Sequence, residues 1–394
     1  MAHAAKFDPR STGGGAMTTV KGWCPGAYTP MMSGDGLIVR VRPRMGQLSA
    51  VQAQGICAAA ERFGNGLIDL TSRANVQLRG VAQSDHPALL ETLGTLGLLD
   101  ANPVIEARRN ILTTPDWQDG DLTTRLYAAL YDRLGELPDL PAKMGIALDT
   151  GRTALLQNAS ADFRFEIDNT GGLILRADGM DRGQPVTEAS AADALIEMAH
   201  WFVATASGET RRMAQLVARQ RPRRSPHCNQ PRPAGTPLVP GHGPLGQVFG
   251  AAFGSLMAQD LKALIADTRA SALRCTPWRL IILDTAQAGP ANGFVTDPAD
   301  PLLRSHACPG APACSAATVD TRALARALTA KGAGSVHVSG CVKGCAHPGR
   351  ATLTVVGRDG AYDLVKKGHA WDQPQMRGLT ADALLALDLM TLSD

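Results

Sequence analysis

The sequence predicts a mixed α+β protein of several domains, and three stretches carry that prediction. Residues 36–98 follow the order strand, helix, strand, helix, which is the order of an α+β unit. A similar order recurs within residues 246–285, and residues 350–368 show the pattern of a hairpin. Because 394 residues exceed what one hydrophobic core usually organises, we expect two or three domains.

The first unit can be followed element by element. Its opening segment GLIVRVRP, from Gly36, alternates apolar and charged side chains as a half-buried strand does. The next segment, LSAVQAQGICAAAERFG, repeats apolar residues at helical spacing and stops at Gly64. GLIDLTSRANVQLRG then predicts one or two strands, and HPALLETLGTLGL predicts a second helix.

The middle and the end of the chain add further strands and helices. Residues 142–179 contain three strand-like segments separated by turns, and the helix-like segment AADALIEMAHWFVATA follows them. Residues 350–368 contain two alternating strands around the turn Gly357-Arg358-Asp359-Gly360. The helical pattern TADALLALDLM closes the chain.

The second unit repeats the first in outline. Residues 246–268 predict one helix, and residues 271–285 predict a strand. The triplet Thr71-Ser72-Arg73 precedes a strand of the first unit, as TPWR at residues 276–279 precedes a strand of the second. This similarity is faint, but it favours an internal duplication.

Composition and charge exclude several classes of protein. The net charge of +3 is too small for a non-specific nucleic-acid binder, which normally carries a strongly basic domain. No apolar run approaches the roughly 18 residues that span a bilayer, and the N-terminus lacks the apolar segment of a signal peptide. We therefore expect a cytoplasmic protein with no membrane partner and with a disordered leader at residues 1–21.

An arginine-rich segment separates the two units. Residues 211–232 carry seven arginines and no acidic residue, and the latter part is rich in proline. Two interpretations remain open, a solvated helix end followed by a linker, or a surface that binds an acidic partner.

Four of the eight cysteines lie in two close pairs near the end of the chain. Cys308 and Cys314 are separated by five residues, and Cys341 and Cys345 by three. Four clustered thiolates suit either tetrahedral zinc or a cubane iron-sulfur cluster. The five-residue gap is wide for a zinc knuckle, and the small flanking residues let backbone amides approach a bulky cluster. The pattern therefore favours a cluster over zinc and over unrelated thiols, and the single cysteines predict buried or incidental thiols: Cys24, Cys57, Cys228 and Cys275.

Basic and amide side chains recur at strand spacing in two segments. The first set alternates along one predicted strand, so that all its members can project from one face, where they would need an anion: Arg40, Arg42 and Arg44. The second set also has spacing two: Arg73, Asn75, Gln77 and Arg79. Such a face either lines a polar cavity or is the solvent-exposed face of an antiparallel sheet. Arg109 and Lys143 add cations in apolar segments, and guanidinium groups suit a ligand with several carboxylates, such as a tetrapyrrole.

These motifs together resemble the sulfite and nitrite reductase superfamily from about residue 22 onward. CPGAPAC and SGCVKGC resemble its C-x5-C and C-x3-C cluster signature, and TSRANVQLRG resembles its tetrapyrrole-contact segment. LIVRVRPRMG resembles its arginine strand, ARRNIL matches the place of a further arginine, and LPAKMGIALD resembles its lysine loop. The resemblance implies that the duplication is real and that the TSRANVQLRG face binds a ligand.

The resemblance also implies a fold. Members of the superfamily are α+β proteins in which two ferredoxin-like half-repeats pair into one domain, and two α/β lobes complete a cleft for a 4Fe-4S cluster and a tetrapyrrole. The boundaries that follow for this chain, after the leader, are half-repeat 1 at 22–102, lobe 1 at 103–210, an Arg/Pro-rich linker at 211–243, half-repeat 2 at 244–290 and the cluster-binding lobe 2 at 291–394.

Two departures from the reductases indicate a particular branch. Sulfite reductases carry a second lysine two positions after the first, where this chain has Gly145, and the chain is short for an assimilatory reductase. The opening GWCPGAYTPMMSGDGLIVRVRP and the loop KMGIALD resemble instead the branch that oxygenates a tetrapyrrole in the aerobic cobalamin pathway. In that branch precorrin-3A is hydroxylated at C20, and a lactone closes from the ring A acetate.

For that branch the resemblance implies a set of roles and partners. The cluster ligands would be Cys308, Cys314, Cys341 and Cys345. The catalytic residues would be Arg42, Arg109 and Lys143, and the tetrapyrrole-binding residues would be Arg40, Arg73, Asn75, Gln77 and Arg79. The implied cofactors are a 4Fe-4S cluster and a mononuclear non-haem iron. The implied partners are precorrin-3A and dioxygen, and the chain is expected to be a monomer.

The reductant would arrive from outside the chain. No G-x-G-x-x-G stands between a strand and a helix, so an NADH-dependent reductase or a ferredoxin is the expected electron donor. The nine histidines show no set of two histidines and one carboxylate that would hold the non-haem iron. His306 and His347 flank the cysteine pairs, with a structural role or iron ligation open to both, and His242 is a weaker candidate.

Two other functions remain open from the sequence. The chain could be a short assimilatory sulfite or nitrite reductase with sirohaem as prosthetic group, or an iron-sulfur electron carrier or sensor. A carrier needs neither a polybasic face nor this many residues, so it fits the sequence least well.

Overall fold

The computed structural model describes residues 25–220, 229–287 and 289–388, and the predicted leader lies outside them. The strands in this part of the chain form four sheets of five strands each. Two sheets belong to the paired half-repeats, and one sheet belongs to each lobe. The α+β fold class predicted from the sequence is confirmed.

Half-repeat 1 contains the predicted strand and helix pattern. Helix α1 begins because Ser49 and Gln52 form a reciprocal capping box, and it ends at Gly64. GLIDLTSRANVQLRG forms two strands. In chain order the elements are β1 Met31–Ser33, β2 Gly36–Val41, β3 Gln47–Ser49, α1 Ala50–Phe63, β4 Leu67–Leu70, β5 Val76–Val81 and α2 His86–Thr95.

Lobe 1 is a sheet in the order β10-β9-β8-β7-β6 with helices packed on it. The three strands predicted within residues 142–179 are confirmed, and so is the helix after them. Helix α6 lies in the predicted linker, yet it packs into the core of this lobe. The elements are α3 Pro103–Arg108, β6 Ile111–Thr113, α4 Leu122–Asp132, β7 Ile146–Asp149, β8 Phe163–Ile167, β9 Leu173–Ala177, β10 Gln184–Pro185, α5 Ala191–Thr205 and α6 Met213–Arg219.

Half-repeat 2 corrects one sequence prediction. The single helix expected over residues 246–268 is wrong, because two strands and a tight turn precede the helix. Gly250 and Gly254 interrupt the segment GQVFGAAFG, and its apolar residues pair with neighbouring strands. The elements are β11 Gly241–Gly243, β12 Gly246–Gly250, β13 Ser255–Met257, α7 Ala258–Thr268, β14 Ala272–Cys275 and β15 Leu280–Leu283.

The internal duplication is confirmed by backbone detail. Met45 and Phe253 occupy matching turns before β3 and β13 with φ of 52° and 60°. Ala74 and Arg279 occupy the matching turns of the two β-hairpins with φ of 53° and 62°. Each half-repeat lends one strand to the other, since β3 pairs with β14 and β13 pairs with β4. One continuous hydrophobic core, which includes residues of α1 and α7, joins the two half-repeats.

Lobe 2 is a sheet in the order β16-β17-β18-β19-β20. The hairpin predicted at residues 350–368 is confirmed, with Asp359 and Gly360 at φ of 50° and 80° in its turn. The elements are β16 His306–Ala307, α8 Arg322–Ala330, β17 Val336–Ser339, β18 Ala351–Arg358, β19 Ala361–Gly368, β20 Met376–Leu379 and α9 Ala381–Ala386. None of the helices in the described ranges has the length and apolar character that crossing a membrane requires.

Candidate functional site

The two cysteine pairs follow neighbouring parallel strands. Cys308 comes directly after β16, and Cys341 comes two residues after β17. Because β16 and β17 are parallel, their carboxyl ends meet at one edge of the sheet, which is where ligands bind in such sheets. The backbone N–H of Gly340 donates a hydrogen bond of 3.1 Å to Sγ of Cys308. The sheet therefore brings the two cysteine loops together.

The thiols of these loops interact electrostatically. Burial raises the pKa of the Cys341 thiol and of the Cys345 thiol, and the nearby thiols of Cys308 and Cys314 raise both further. Mutual repulsion of this kind is what a cation between the thiolates would relieve. Within the part of the chain that the structure describes, however, no three His, Cys, Asp or Glu side chains are arranged to hold a metal ion. The loops are close, but the thiols are not in a ligand geometry.

The cysteine loops need small residues at defined points. A Cβ on Gly340 would lie 2.5 Å from Cβ of Ala317 and 3.5 Å from Sγ of Cys308. Gly310 and Gly344 have φ of 70° and 60°, which favours glycine. The small flanks noted in the sequence thus let the backbone approach the thiols closely. These loops fit a bulky cluster whose sulfurs accept backbone N–H groups.

Arg79 connects half-repeat 1 with the first cysteine loop. Its guanidinium is buried and donates to the Ala313 carbonyl at 2.9 Å, next to Cys314 in the chain. The same group pairs with Asp35 at 3.1 Å and with Asp69 at 3.4 Å. Arg79 is therefore held by two carboxylates while it fixes the position of the loop.

Arg42 and Arg109 lie together in a buried ion-pair network. Arg42 pairs with Glu106, and Arg109 donates to Asp100 at 2.7 Å and to the Arg42 carbonyl at 2.8 Å. Burial opposes the ionisation of Asp100, but hydrogen bonds from Tyr131 and Arg109 outweigh burial, so the pKa of Asp100 is lowered. The anions that these arginines need are thus supplied by this chain.

The arginine strand ends earlier than the sequence pattern predicts. Strand β2 stops at Val41, so Arg42 and Arg44 lie beyond it, and the prediction of three arginines on one strand is wrong. Arg40 remains on the strand opposite Gln77 of β5. Its Nε and Nη2 donate to Oε1 of Gln77 at 3.0 and 2.6 Å. The strand ends here although the alternating pattern continues, because the chain turns at Pro43 and Arg42 pairs with buried groups.

The lysine loop packs against Arg73. Nη2 of Arg73 donates to the Lys143 carbonyl, and Nδ2 of Asn110 donates to the Met144 carbonyl at 2.5 Å. The Lys143 residue is exposed. A Cβ on Gly145 would lie 2.7 Å from Nη1 of Arg73 and 2.9 Å from Nδ2 of Asn110. The space that a side chain at position 145 would need is therefore already occupied by the side chains of Arg73 and Asn110.

The predicted residues fall into four local groups. One group joins the cysteine loops to Arg79, the second joins Arg42 to Arg109, and the third joins Arg73 to the lysine loop. The fourth group pairs Arg40 with Gln77, and Asn75 is buried directly before β5. Sequence reasoning missed the carboxylates that hold these groups, because their positions show no local pattern: Asp35, Asp69, Asp100 and Glu106.

A histidine cluster lies beside the cysteine loops, and one of its members was also missed. His306 and His347, named from the sequence, have ring centroids 4.0 Å apart. The third member, His337, lies 6.5 Å from the first ring and 5.7 Å from the second. Burial and, to a smaller extent, the neighbouring His347 lower the pKa of His337 to about 4. The sequence signal that could have found His337 is its position, four residues before the second cysteine pair.

Comparisons with known proteins show which proteins this chain is similar to. Residues 29–96 match the nitrite/sulfite reductase ferredoxin-like half domain. The structure of the NirA protein of Mycobacterium tuberculosis superposes with a TM-score of 0.61 at 18% identity, over 88% of this chain and 78% of that one. A ferredoxin-nitrite reductase of Synechococcus elongatus is 30% identical over 155 residues, 36% of this chain and 30% of that protein. The half domain and the superposition show that the chain has a sulfite/nitrite reductase-like fold.

One relative is similar over almost the whole chain. A precorrin-3B synthase of a Sinorhizobium species is 29% identical over 386 residues, which cover 89% of this chain and 83% of that protein. The branch predicted from the sequence is the branch of this relative. The relatives are enzymes, which supports the prediction that this chain is an enzyme.

Proposed function

We propose that this chain catalyses the oxygen-dependent hydroxylation of precorrin-3A at C20 and the closure of a lactone from the ring A acetate. The similarity to a precorrin-3B synthase over 89% of the chain supports this proposal. The nitrite reductase relative matches a much smaller part, 36% of the chain. The activity would be a monooxygenase reaction of aerobic cobalamin biosynthesis.

The observation that carries the proposal is the crowding around Gly145. The resemblance to sulfite reductases calls for a second lysine at this position. With Arg73 2.7 Å from the place of a Cβ, that lysine has no room unless the Arg73 guanidinium leaves the Lys143 carbonyl. An anion site with one cation fewer suits sulfite or nitrite poorly, because those substrates are small anions bound through charge.

The four cysteines would hold a 4Fe-4S cluster in this proposal. The superfamily supports an iron-sulfur centre in general, and the converging loops and the N–H of Gly340 on Cys308 fit one. When bound, such a cluster supplies electrons one at a time. The ligands would be Cys308, Cys314, Cys341 and Cys345.

The basic and amide side chains would bind the tetrapyrrole. Arg73 and Lys143 reach the surface of the lysine loop, where acetate and propionate groups of the substrate would meet them. Arg42 and Arg109 are neutralised by their carboxylates, so they would donate hydrogen bonds from fixed positions without adding a net charge. The proposed tetrapyrrole face consists of Arg40, Arg73, Asn75, Gln77 and Arg79.

The proposed reaction balances with an external reductant. One atom of dioxygen becomes the C20 hydroxyl, the other leaves as water, and the reductant supplies two electrons and two protons. The lactone closes by addition of the acetate oxygen and requires no further electrons. A ferredoxin or an NADH-dependent reductase would supply the electrons in the proposal.

An absorption spectrum of the anaerobically purified protein, followed by turnover assays, tests the proposal. We expect broad iron-sulfur absorption without a sirohaem Soret band, and oxygen uptake with precorrin-3A. An intense Soret band together with reduction of sulfite or nitrite by reduced viologen would replace the proposal with the reductase alternative.

A second assay separates an enzyme from an electron carrier. Arg73→Ala should abolish most of the precorrin-3A turnover and leave the iron-sulfur absorption intact, because only an enzyme must bind carboxylates there. Arg125→Ala is the matched control, since Arg125 forms an exposed ion pair with Glu188 and is not one of the proposed binding residues. Equal activity of both variants would contradict the enzyme proposal.

A further inference from the structure

The lysine loop is held at residues 143–145 by side chains that come from other segments of the chain. The carbonyls of the first two residues accept hydrogen bonds from Arg73 and Asn110. At the third residue the direction reverses, because the backbone N–H of Gly145 donates to Oδ2 of Asp162 at 3.1 Å. Neither the sequence pattern nor the proposed function assigns a role to Asp162.

Asp162 lies between the lysine loop and the start of the arginine-rich segment, and its side chain is 0% exposed. Nε of Arg212 donates to both carboxylate oxygens, at 2.9 and 3.2 Å. The backbone N–H of Met213, the first residue of α6, donates to Oδ1 at 2.9 Å. The backbone N–H of Asp162 in turn donates to the Gly145 carbonyl at 2.8 Å. One buried carboxylate thus joins the lysine loop to helix α6.

The charge of this carboxylate strengthens its hold on the loop. Burying a carboxylate is costly unless it is paired with a cation and its oxygens accept hydrogen bonds, and Asp162 meets both conditions. A hydrogen bond from a backbone N–H to an ionised carboxylate is shorter and stronger than one to a neutral acceptor. The Gly145 amide is therefore fixed more firmly by Asp162 than it would be by an asparagine, as long as Arg212 supplies the cation.

We infer that Asp162 and Arg212 are positioning residues, which hold the backbone of the lysine loop so that the Lys143 side chain meets a carboxylate of the substrate. The inference rests on the proposed function, because Lys143 is a binding residue only there. Lys143 is exposed, so the position of its backbone determines which carboxylate its side chain can reach. Arg212 belongs to the arginine-rich segment, and this pair gives it a partner inside the chain.

Amide hydrogen exchange of the full chain without substrate tests whether the pair holds the loop. Arg212→Gln removes the cation and Asp162→Asn removes the charge of the acceptor, so peptides that span residues 143–146 should exchange about tenfold faster than in the wild type. Arg212→Lys restores the cation without the planar donor group and should recover part of the protection. Peptides of β2 and α1 should exchange as in the wild type, which would show that the effect is local.

Steady-state turnover separates a positioning role from a structural one. The KM for precorrin-3A should rise about tenfold in Arg212→Gln while kcat changes little, because a misplaced lysine loop weakens substrate binding, and Arg212→Lys should restore part of the loss. Arg219→Gln is the matched control, since Arg219 lies in the same arginine-rich segment and donates to Oγ1 of Thr210 at 3.0 Å. Because the Arg212 side chain is 30% exposed, its variants remain usable if Asp162→Asn does not fold.

Three results would overturn the inference. The first is unchanged exchange at residues 143–146 in Arg212→Gln, and the second is faster exchange with an unchanged KM, because the pair would then only stabilise the loop. The third is an equal rise in KM for Arg219→Gln, because the charge of the whole segment would then be responsible. A wild type that does not turn over precorrin-3A would contradict the proposed function, and a local loss of protection in the variants would still show that the pair holds the lysine loop.

Discussion

The guanidinium of Arg73 lies where a side chain at position 145 would have to go. A Cβ on Gly145 would fall 2.7 Å from Nη1 of Arg73, inside the distance that real Cβ atoms reach. Arg73 is itself fixed by its hydrogen bond to the Lys143 carbonyl. This contact thus joins half-repeat 1 to lobe 1 and fills the space beside position 145.

Gly145→Ala should therefore destabilise the protein by about 1–3 kcal/mol, the usual cost of overpacking a close contact. The added methyl group must push the Arg73 guanidinium away from the lysine loop, so precorrin-3A turnover should fall as well. Urea unfolding measures the first effect, and oxygen uptake measures the second. Gly94→Ala is the control, because Gly94 lies in helix α2 with nothing within 4 Å of the added Cβ, and alanine favours the helix. Equal unfolding free energies for the two variants would show that Gly145 is not crowded.

Arg79→Ala should destabilise the protein by about 3 kcal/mol, the lower end of the cost of breaking a buried ion pair. The substitution leaves the Asp35 carboxylate without its cation and with a hydrogen bond from Asn65 at 3.0 Å, whereas Asp69 keeps a second cationic partner in Arg322 at 3.0 Å. It also removes the hydrogen bond to Ala313, so the first cysteine loop loses its anchor. Urea unfolding of the variant gives the measurement.

The matched control for Arg79 is an exposed ion pair. Arg125 pairs with Glu188 at 2.8 Å, and both side chains are at least 40% exposed, so Arg125→Ala should cost much less stability than Arg79→Ala. If both arginine variants lose the same stability, burial does not determine the strength of the Arg79 pair.

Much of the fold was predictable because its signals are local. Helix α1 shows apolar periodicity between a capping serine, Ser49, and a terminating glycine, Gly64, and the hairpin of lobe 2 has a Gly-rich turn. The prediction for the segment GQVFGAAFG was wrong because its small apolar residues have neither a period of two nor a helical period. Its first half is extended because it pairs with β15, which lies outside the segment in the sequence.

The candidate site was predictable in its residue types but not in its pairings. The four cysteines were found by spacing, and the arginines were found by strand periodicity and by resemblance. The carboxylates that neutralise the arginines were not, because the Arg42 and Glu106 pair joins residues 64 positions apart. The charge pattern along one strand therefore predicted a binding site for an external anion. In the fold, carboxylates of this chain pair with the arginines instead.

The cysteine assignment predicts which thiols matter for iron. Serine at Cys308, Cys314, Cys341 or Cys345 should each remove most of the acid-labile sulfide, because a cubane needs four thiolates. Cys57→Ala is the control. Cys57 is buried in α1, and burial raises its pKa to about 12, so it is an inert packing thiol. Sulfide and iron analysis after anaerobic purification decides, and a Cys341→Ser protein with full sulfide would contradict the assignment.

The buried carboxyl group of Asp149 should make the unfolding free energy of the protein depend on pH. Burial raises the pKa of its carboxyl to about 6, and hydrogen bonds from the N–H groups of Leu155 and Leu156 oppose this only in part. The unfolded carboxyl has a pKa of about 3.9. Between these values the folded chain binds more protons than the unfolded chain, so the contribution of Asp149 to the unfolding free energy falls as pH rises from about 4 to about 6. The total loss should be about 3 kcal/mol.

Asp149→Asn isolates this contribution because the amide does not titrate. The unfolding free energy of the wild type minus that of the variant should fall by about 3 kcal/mol between roughly pH 4 and pH 7, and then stay level. Urea unfolding at a series of pH values measures the difference. Asp139→Asn serves as control, because the Asp139 carboxylate is fully exposed, and its curve should run parallel to that of the wild type. A constant difference for Asp149→Asn would mean that the buried carboxyl titrates alike in both states, which is incompatible with its burial at the end of β7.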